Sequence, residues 1–268
     1  ISRHRKRSEK KIMKQFRPRL SPGENRFLQN LRNQKNIGII GDTHCPFNLK
    51  ETKNHLSYLQ FCYETFNQYG CSEIIHIGDE CDNAAISYHQ KETDAYSAAT
   101  EAELAQKEMN KFFRAFDRVK VCVGNHSALP FRQATTAGIP KRFLRTYEEI
   151  WSAPKGWKWD LQWEIDGVMF EHGTGSSGPN AAKNRAIANR QSTVIGHCHS
   201  FGGVNYMASR SDMIFGLNVG CGIDNSAYSF RYGRQFPKKP TIGCGVVLDS
   251  GRIGLFIPMD LGSKIIRK

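Results

Sequence analysis

The stretch IGIIGDTHCPF, Ile37 to Phe47, decides the fold. Ile37 to Gly41 is an apolar run of strand length, apolar on both faces, which suits a strand buried within a parallel sheet. It stops at Gly41, Asp42, Thr43 and His44, so a carboxylate and an imidazole stand two residues apart at its end. The same grammar recurs. EIIHIGDECDN, residues 73 to 83, ends its strand on Asp79 and Asp82, and VKVCVGNHS, residues 119 to 127, ends on Asn125 and His126. VMFEHG then brings His172, and VIGHCHS brings His197 and His199. In sheets with helical crossovers, the carboxyl edges of neighbouring strands lie side by side and ligands bind there. Five segments therefore direct Asp, Asn and His to one edge.

Outward from these segments the chain alternates as α/β proteins do. Strands are expected at 37–41, 73–77, 119–123, 162–172, 193–196, 203–208, 213–220, 241–248 and 253–257. Helices are expected at 56–69 and 98–116, the second from Ala105, Met109, Phe112 and Phe116 at helical spacing. Asp166-Gly167 and Asp249-Ser250-Gly251 read as hairpin turns, so crossover units give way to antiparallel pairing. Ahead of the first strand, Leu20 to Asn33 reads as a helix, with Ser21 as N-cap, Pro22 at the first position and Glu24 closing a capping box.

With 268 residues and 39% apolar content, the chain can bury a substantial core. No uncharged run approaches the roughly 18 residues of a membrane span, and neither a span nor a signal peptide is expected. Eight cysteines without a CxxC pair suit reduced thiols packed as small apolar residues. A cytoplasmic location follows, without membrane association. The net charge of +13 is unevenly placed, since residues 1–36 carry 12 Lys and Arg against Glu9 and Glu24. The domain is taken as 20–268, preceded by a basic tail, 1–19, too poor in apolar residues to fold alone. Such a tail gains affinity for phosphate polymers by releasing counterions, and equally reads as a solubilising extension.

Asp and Asn oxygens with His nitrogens are the donor set of borderline divalent metals: Mn first, with Fe, Zn and Ni open. Seven donors, Asp42, His44, Asp79, Asn125, His172, His197 and His199, are too many for one ion. Two ions about 3.5 to 4 Å apart, sharing a carboxylate, accommodate them and form a clamp for displacement at phosphorus. Two divalent cations against two carboxylates leave the site positive, attracting a phosphodiester and favouring ionisation of a bridging water.

GDTH, GDECDN, GNH, a later lone His and GHCH, in this order, resemble the calcineurin-like metallophosphoesterases. The resemblance implies a four-layer α-β-β-α sandwich of two mostly mixed sheets. It also implies roles: Asp42, His44 and His199 on one metal, Asn125, His172 and His197 on the other, and Asp79 bridging. Attack would come from a metal-bridging hydroxide, with Asp79 and His126 as the catalytic pair and His126 assisting the leaving oxygen. Asp82 is expected to support the ligands without binding metal. The family usually has an acid after GNH, where this chain has Ser127, a hydroxyl able to orient His126 but not to charge-pair with it. His126 is therefore expected to titrate lower than beside an acid. LSPGENRFL, HGTGSSG and NVGCGID are further similar to bacteriophage phosphoesterases, which would place the chain in host cytoplasm.

Residues 127–160 interleave Arg132, Lys141, Arg142, Arg145, Lys155 and Lys158 with Phe131, Phe143, Tyr147, Trp151, Trp157 and Trp159. This segment reads either as a cap that binds nucleic acid, cations on phosphates and rings under bases, or as aromatics packed on the core. His89, Arg132, Arg142, Lys183 and Arg185 are candidate substrate contacts. The leading function is hydrolysis of phosphodiester bonds in DNA or RNA. A small-molecule phosphatase or cyclic-nucleotide phosphodiesterase is the alternative, and an inactive nucleic-acid-binding protein a further one.

Overall fold

The computed structural model describes residues 21–23, 35–88, 94–227 and 237–261. The tail 1–19, nearly all of the helix expected at 20–33, and His89 lie outside the described residues. All the expected strands form, with ends shifted by a residue or two. They are β1 (Asn36–Ile40), β2 (Cys71–His76), β3 (Val119–Cys122), β5 (Gln162–Ile165), β6 (Val168–Glu171), β7 (Ser192–Ile195), β8 (Gly202–Ala208), β9 (Met213–Val219), β10 (Gly243–Leu248) and β11 (Ile253–Pro258). One strand was not expected: β4 (Trp157–Asp160). The helices are α1 (Tyr58–Gln68), α2 (Ala98–Ala115), α3 (Leu129–Thr136), α4 (Tyr147–Ile150) and α5 (Ala181–Asn189).

Two mixed sheets result, in the orders β11-β10-β1-β2-β3-β4 and β5-β6-β7-β9-β8. β1 to β4 run parallel, and β10 and β11 continue that sheet antiparallel. In the second sheet β6, β7 and β9 are parallel, and β5 and β8 close its edges antiparallel. The hairpins turn where the sequence placed them. Asp166 and Gly167 have φ of 52° and 72°, and Asp249, Ser250 and Gly251 are all at positive φ, the backbone that tight β-hairpins demand.

Alternation along β1 puts Ile37 and Ile39 between the sheets with Ile75, Ile77 and Cys122, facing Phe170, Val194, Phe215, Leu217 and Val219. Ile40 faces the other way, into a core shared with Tyr58, Cys62 and Phe66 of α1 and Ala105, Met109 and Phe112 of α2. Ser57 and Ser97 cap these two helices through their side chains. On the far side, α5 buries Ala181, Ala182 and Ala186. Helices thus cover the outer faces of two stacked sheets, the four-layer arrangement expected. Among the described residues no helix is long and apolar enough to cross a membrane.

The segment 127–160, read as a cap or as aromatics packed on the core, is built into the body at its end, while residues 135–143 are exposed. Its end is the edge strand β4, and Trp151 and Trp157 belong to the helix-side core. Its rings pack against one another at a tilt, Phe131 on Tyr147 at 4.7 Å and Trp157 near Trp159 at 5.9 Å between centroids. Of its rings, Phe143 stands out into solvent, at 72% exposure.

Candidate metal centre

The loops after β1, β2, β3, β6 and β7 converge at one end of the stacked sheets. Three of their residues, His44, Asp79 and His197, hold positive φ of 46°, 50° and 62°. Non-glycine residues adopt this backbone at a cost that surrounding structure must hold in place, and such residues concentrate at functional sites. Two glycines leave room for the carboxylates. A Cβ on Gly196 would lie 2.1 Å from Asp42 Oδ1, and one on Gly124 would lie 2.0 Å from Asp79 Oδ1.

The expected donors gather into two groups, Asp42 with His44 and His199, and Asp79 with His172 and His197. In the first, His199 Nε2 lies 2.9 Å from Asp42 Oδ2 and 3.2 Å from His44 Nε2. Asp42 Oδ1 is buried and has no hydrogen-bond partner among the described residues. In the second, His172 Nε2 lies 3.0 Å from Asp79 Oδ2 and 3.1 Å from Asn125 Oδ1. Asp79 Oδ2 is also 3.8 Å from His44 Nε2, so one oxygen faces both groups. Its other oxygen accepts the backbone N–H of His126 at 2.8 Å and of Ser127 at 3.3 Å.

The electrostatics of the cluster fit a cation. His172 Nδ1 donates to the Ile77 carbonyl at 3.1 Å, which turns the lone pair of Nε2 toward two oxygen acceptors. Three acceptors then converge with no hydrogen between them unless His172 takes up a proton. Burial lowers its affinity for that proton, yet the charges of Asp79 and Asp42 outweigh burial and raise His172 to about 9. Burial by itself would raise Asp42 and Asp79, but the neighbouring His172 holds both in the ionised form. The orphaned Asp42 oxygen, the glycine cradles and this convergence of acceptors all suit divalent ions. The residues present fit such a group.

The chain's sequence from 35 to 210 matches the model of the calcineurin-like phosphoesterase family. The chain belongs to that family. It is a metal-dependent hydrolase of phosphoester bonds. A search of curated proteins finds no match. Among solved structures, the chain is similar to Yfce, a phosphoesterase from E. coli, at 15% identity and a TM-score of 0.34, over 79% of this chain and 87% of that one.

Around the phosphoesterase site, Asp82 is more central than the sequence suggested. Its Oδ1 accepts from His44 Nδ1 at 2.6 Å, and its backbone carbonyl accepts from His126 Nδ1 at 2.6 Å, with Oδ1 3.3 Å from the same nitrogen. Asp82 thus turns Nε2 of His44 toward the first group and fixes the His126 ring. It also supplies the negative charge expected to be missing beside His126. Burial would lower this imidazole, but the hydrogen bond to Asp82 and the charge of Asp79 raise it to about 10. The comparison with acid-bearing relatives stays an expectation, and what is corrected is the view that no charge lies beside His126. The role given to Ser127 is corrected too: its Oγ donates to Glu80 Oε2 at 2.5 Å, and its hydroxyl is committed there.

His76 is a satisfied core residue, with Thr43 Oγ1 at 3.0 Å and the Gly78 N–H at 3.2 Å on its two ring nitrogens. The candidate substrate contacts divide. Arg185 binds Ser176 Oγ, Glu171 and the Thr174 carbonyl, so its guanidinium braces the loop after His172 and is withdrawn as a substrate contact. Arg132 lies over the Tyr88 ring, 5.4 Å from its centroid. Arg142 is exposed and Lys183 half-buried. Glu80 was not singled out from the sequence. Asn83 donates from Nδ2 to the His126 carbonyl at 2.9 Å, and the asparagine following GDECD was its one available signal.

Proposed function

We propose that this phosphoesterase holds two divalent ions and hydrolyses phosphodiester bonds in nucleic acid. Asp42, His44 and His199 would hold one ion and Asn125, His172 and His197 the other, with Asp79 shared and Mn the first candidate metal. The single observation that carries the dinuclear reading is Asp79 Oδ2, which faces His172 Nε2 at 3.0 Å and His44 Nε2 at 3.8 Å. When bound, the ions supply Lewis-acid polarisation of the phosphoryl group and activation of water. His126, its Nδ1 fixed on Asp82, directs Nε2 away from that bond and gives a proton to the departing oxygen.

Nucleic acid as substrate is supported by the basic stretch 1–36 in the sequence and by exposed Lys141, Arg142, Arg145 and Lys155 beside exposed Phe143. The likeness to bacteriophage phosphoesterases, with action in a host cytoplasm, belongs to the same reading. A second reading, a small aromatic phosphoester as substrate, is favoured by one observation. A groove of about 740 Å³, lined by Ile86, Ala102, Pro130, Tyr147, Ile150 and Trp151, is bordered by Asn83 and Ser127 on either side of the His126 loop.

The test is parallel incubation with Mn²⁺ of bis-p-nitrophenyl phosphate, p-nitrophenyl phosphate, and single- and double-stranded DNA and RNA, with Asp79→Ala as control. Hydrolysis of the diester and of a polymer supports the proposal. Turnover of the monoester alone overturns it in favour of the second reading, and retention of polymer without cleavage indicates a binding protein.

A further inference from the structure

Glu80 follows the shared carboxylate in sequence and is 1% exposed. A carboxylate so buried requires donors to offset its desolvation, and three side-chain donors come to it from far along the chain. Ser127 Oγ donates to Oε2 at 2.5 Å, and the indoles of Trp151 and Trp159 donate to Oε1 at 3.1 and 3.3 Å. The backbone carbonyl of Glu80 accepts from Cys45 N at 2.9 Å and from Thr43 Oγ1 at 3.1 Å. One residue therefore ties together the loop that carries Asp42 and His44, the loop that carries Asp79, the loop that carries Asn125 and His126, and the 151–159 segment.

We propose that Glu80 is a positioning residue of the phosphoesterase, clamping the Asn125–His126 loop in register with Asp79 through Ser127. The physical ground is that two adjacent acids grip the same turn from two sides. Asp79 Oδ1 takes the backbone N–H groups of His126 and Ser127, and Glu80 takes the Ser127 hydroxyl. Without Glu80, the turn is held at His126, by Asp79 on its N–H, Asp82 on its ring and Asn83 on its carbonyl, while the Ser127 side chain has lost its anchor. With Glu80 it is fixed, and with it the distance from His126 to a bound ester. A shift of about 1 Å in such a group costs on the order of 10²-fold in rate. The indoles anchor the clamp to strand β4 and the end of α4, so it rests on the rigid body of the first sheet.

The activity arm of the test rests on the function proposed above; the exchange arm does not. Four variants of the full chain are compared: Ser127→Ala, Glu80→Ala, Glu80→Gln and the Glu80→Ala/Ser127→Ala double. Gln keeps an oxygen for both indoles and offers an amide to the Ser127 oxygen, so it preserves the clamp without the charge. The expected result with bis-p-nitrophenyl phosphate and Mn²⁺ is a kcat about 10- to 100-fold lower in Ser127→Ala, with KM and bound Mn unchanged. The double variant is no worse than Glu80→Ala, and Glu80→Gln lies within about threefold of the parent. In parallel, amide exchange at His126 and Ser127 accelerates in Ser127→Ala while Tm holds, a readout that needs no activity. Unchanged kcat and unchanged exchange in Ser127→Ala overturn the clamp, as does Glu80→Gln, correctly folded, being as impaired as Glu80→Ala. A parent protein that cleaves no phosphoester overturns the proposed function, and exchange alone then decides the clamp. Should Glu80→Ala not fold, Ser127→Ala and Glu80→Gln still decide it.

Discussion

At the scale of single residues, the site is a set of acceptors whose orientation is fixed by hydrogen bonds on their far sides. Ile77 O fixes His172, Asp82 Oδ1 fixes His44 and Asp82 O fixes His126. This separates two kinds of loss. His126→Ala removes the proposed proton donor and leaves every proposed metal donor in place, so kcat should fall about 10²- to 10³-fold with metal content unchanged, as measured by steady-state kinetics and elemental analysis. Asp82→Asn weakens the bond that aims His44 and removes the carboxylate charge beside His126, leaving the backbone bond to His126 in place, so it should lower both Mn affinity and kcat, each about 10-fold or more, by Mn titration and kinetics. An Asp82→Asn protein with normal metal affinity would show that His44 is aimed by something else.

At the scale of elements, strand β4 separates the two readings of the segment 127–160, placing its last tryptophans against the body. Its WKWD sequence alternates apolar and polar residues, the period of a half-buried strand. Basic residues nearby favoured a binding surface, but parallel pairing with β3 places Trp157 in the core, where its Nε1 donates to the Phe116 carbonyl at 2.8 Å. Trp157→Ala should therefore cost about 3 to 5 kcal/mol of stability, by denaturant unfolding. Phe143→Ala, at a ring 72% exposed, should stay within about 0.5 kcal/mol. If Trp157→Ala weakened DNA binding at unchanged stability, the ring would be a stacking platform and not core.

At the scale of the whole molecule, two properties follow from how the layers close. Seven of the eight free cysteines are buried, and Cys71 is half-buried; burial pushes the thiols of Cys45 and Cys71 up to about 12. Thiols held protonated and shielded are poor nucleophiles, so a thiol reagent at neutral pH should titrate Cys71 at most in the native protein and all eight cysteines after unfolding. The centre joins loops from both sheets, so metal bound there favours the folded state. Mn²⁺ at 100 times its dissociation constant should add about 2.7 kcal/mol, read as a rise in Tm that Asp79→Ala abolishes.

The sequence by itself determined the candidate donors and the succession of strands and helices apart from β4, because both are written in local patterns: apolar runs of strand length, glycine turns, and acids and imidazoles at strand ends. It equally determined the hairpins at Asp166-Gly167 and Asp249-Ser250-Gly251, whose residues accept positive φ. The tertiary structure alone decided the partners. Ser127 faces Glu80 and not His126, Asp82 serves two histidines from different loops, Arg185 folds back on Glu171, and Trp157 is core. Each of these depends on a distance between segments remote in the chain, and no local period encodes which of several nearby acids a hydroxyl, an imidazole or a guanidinium will meet.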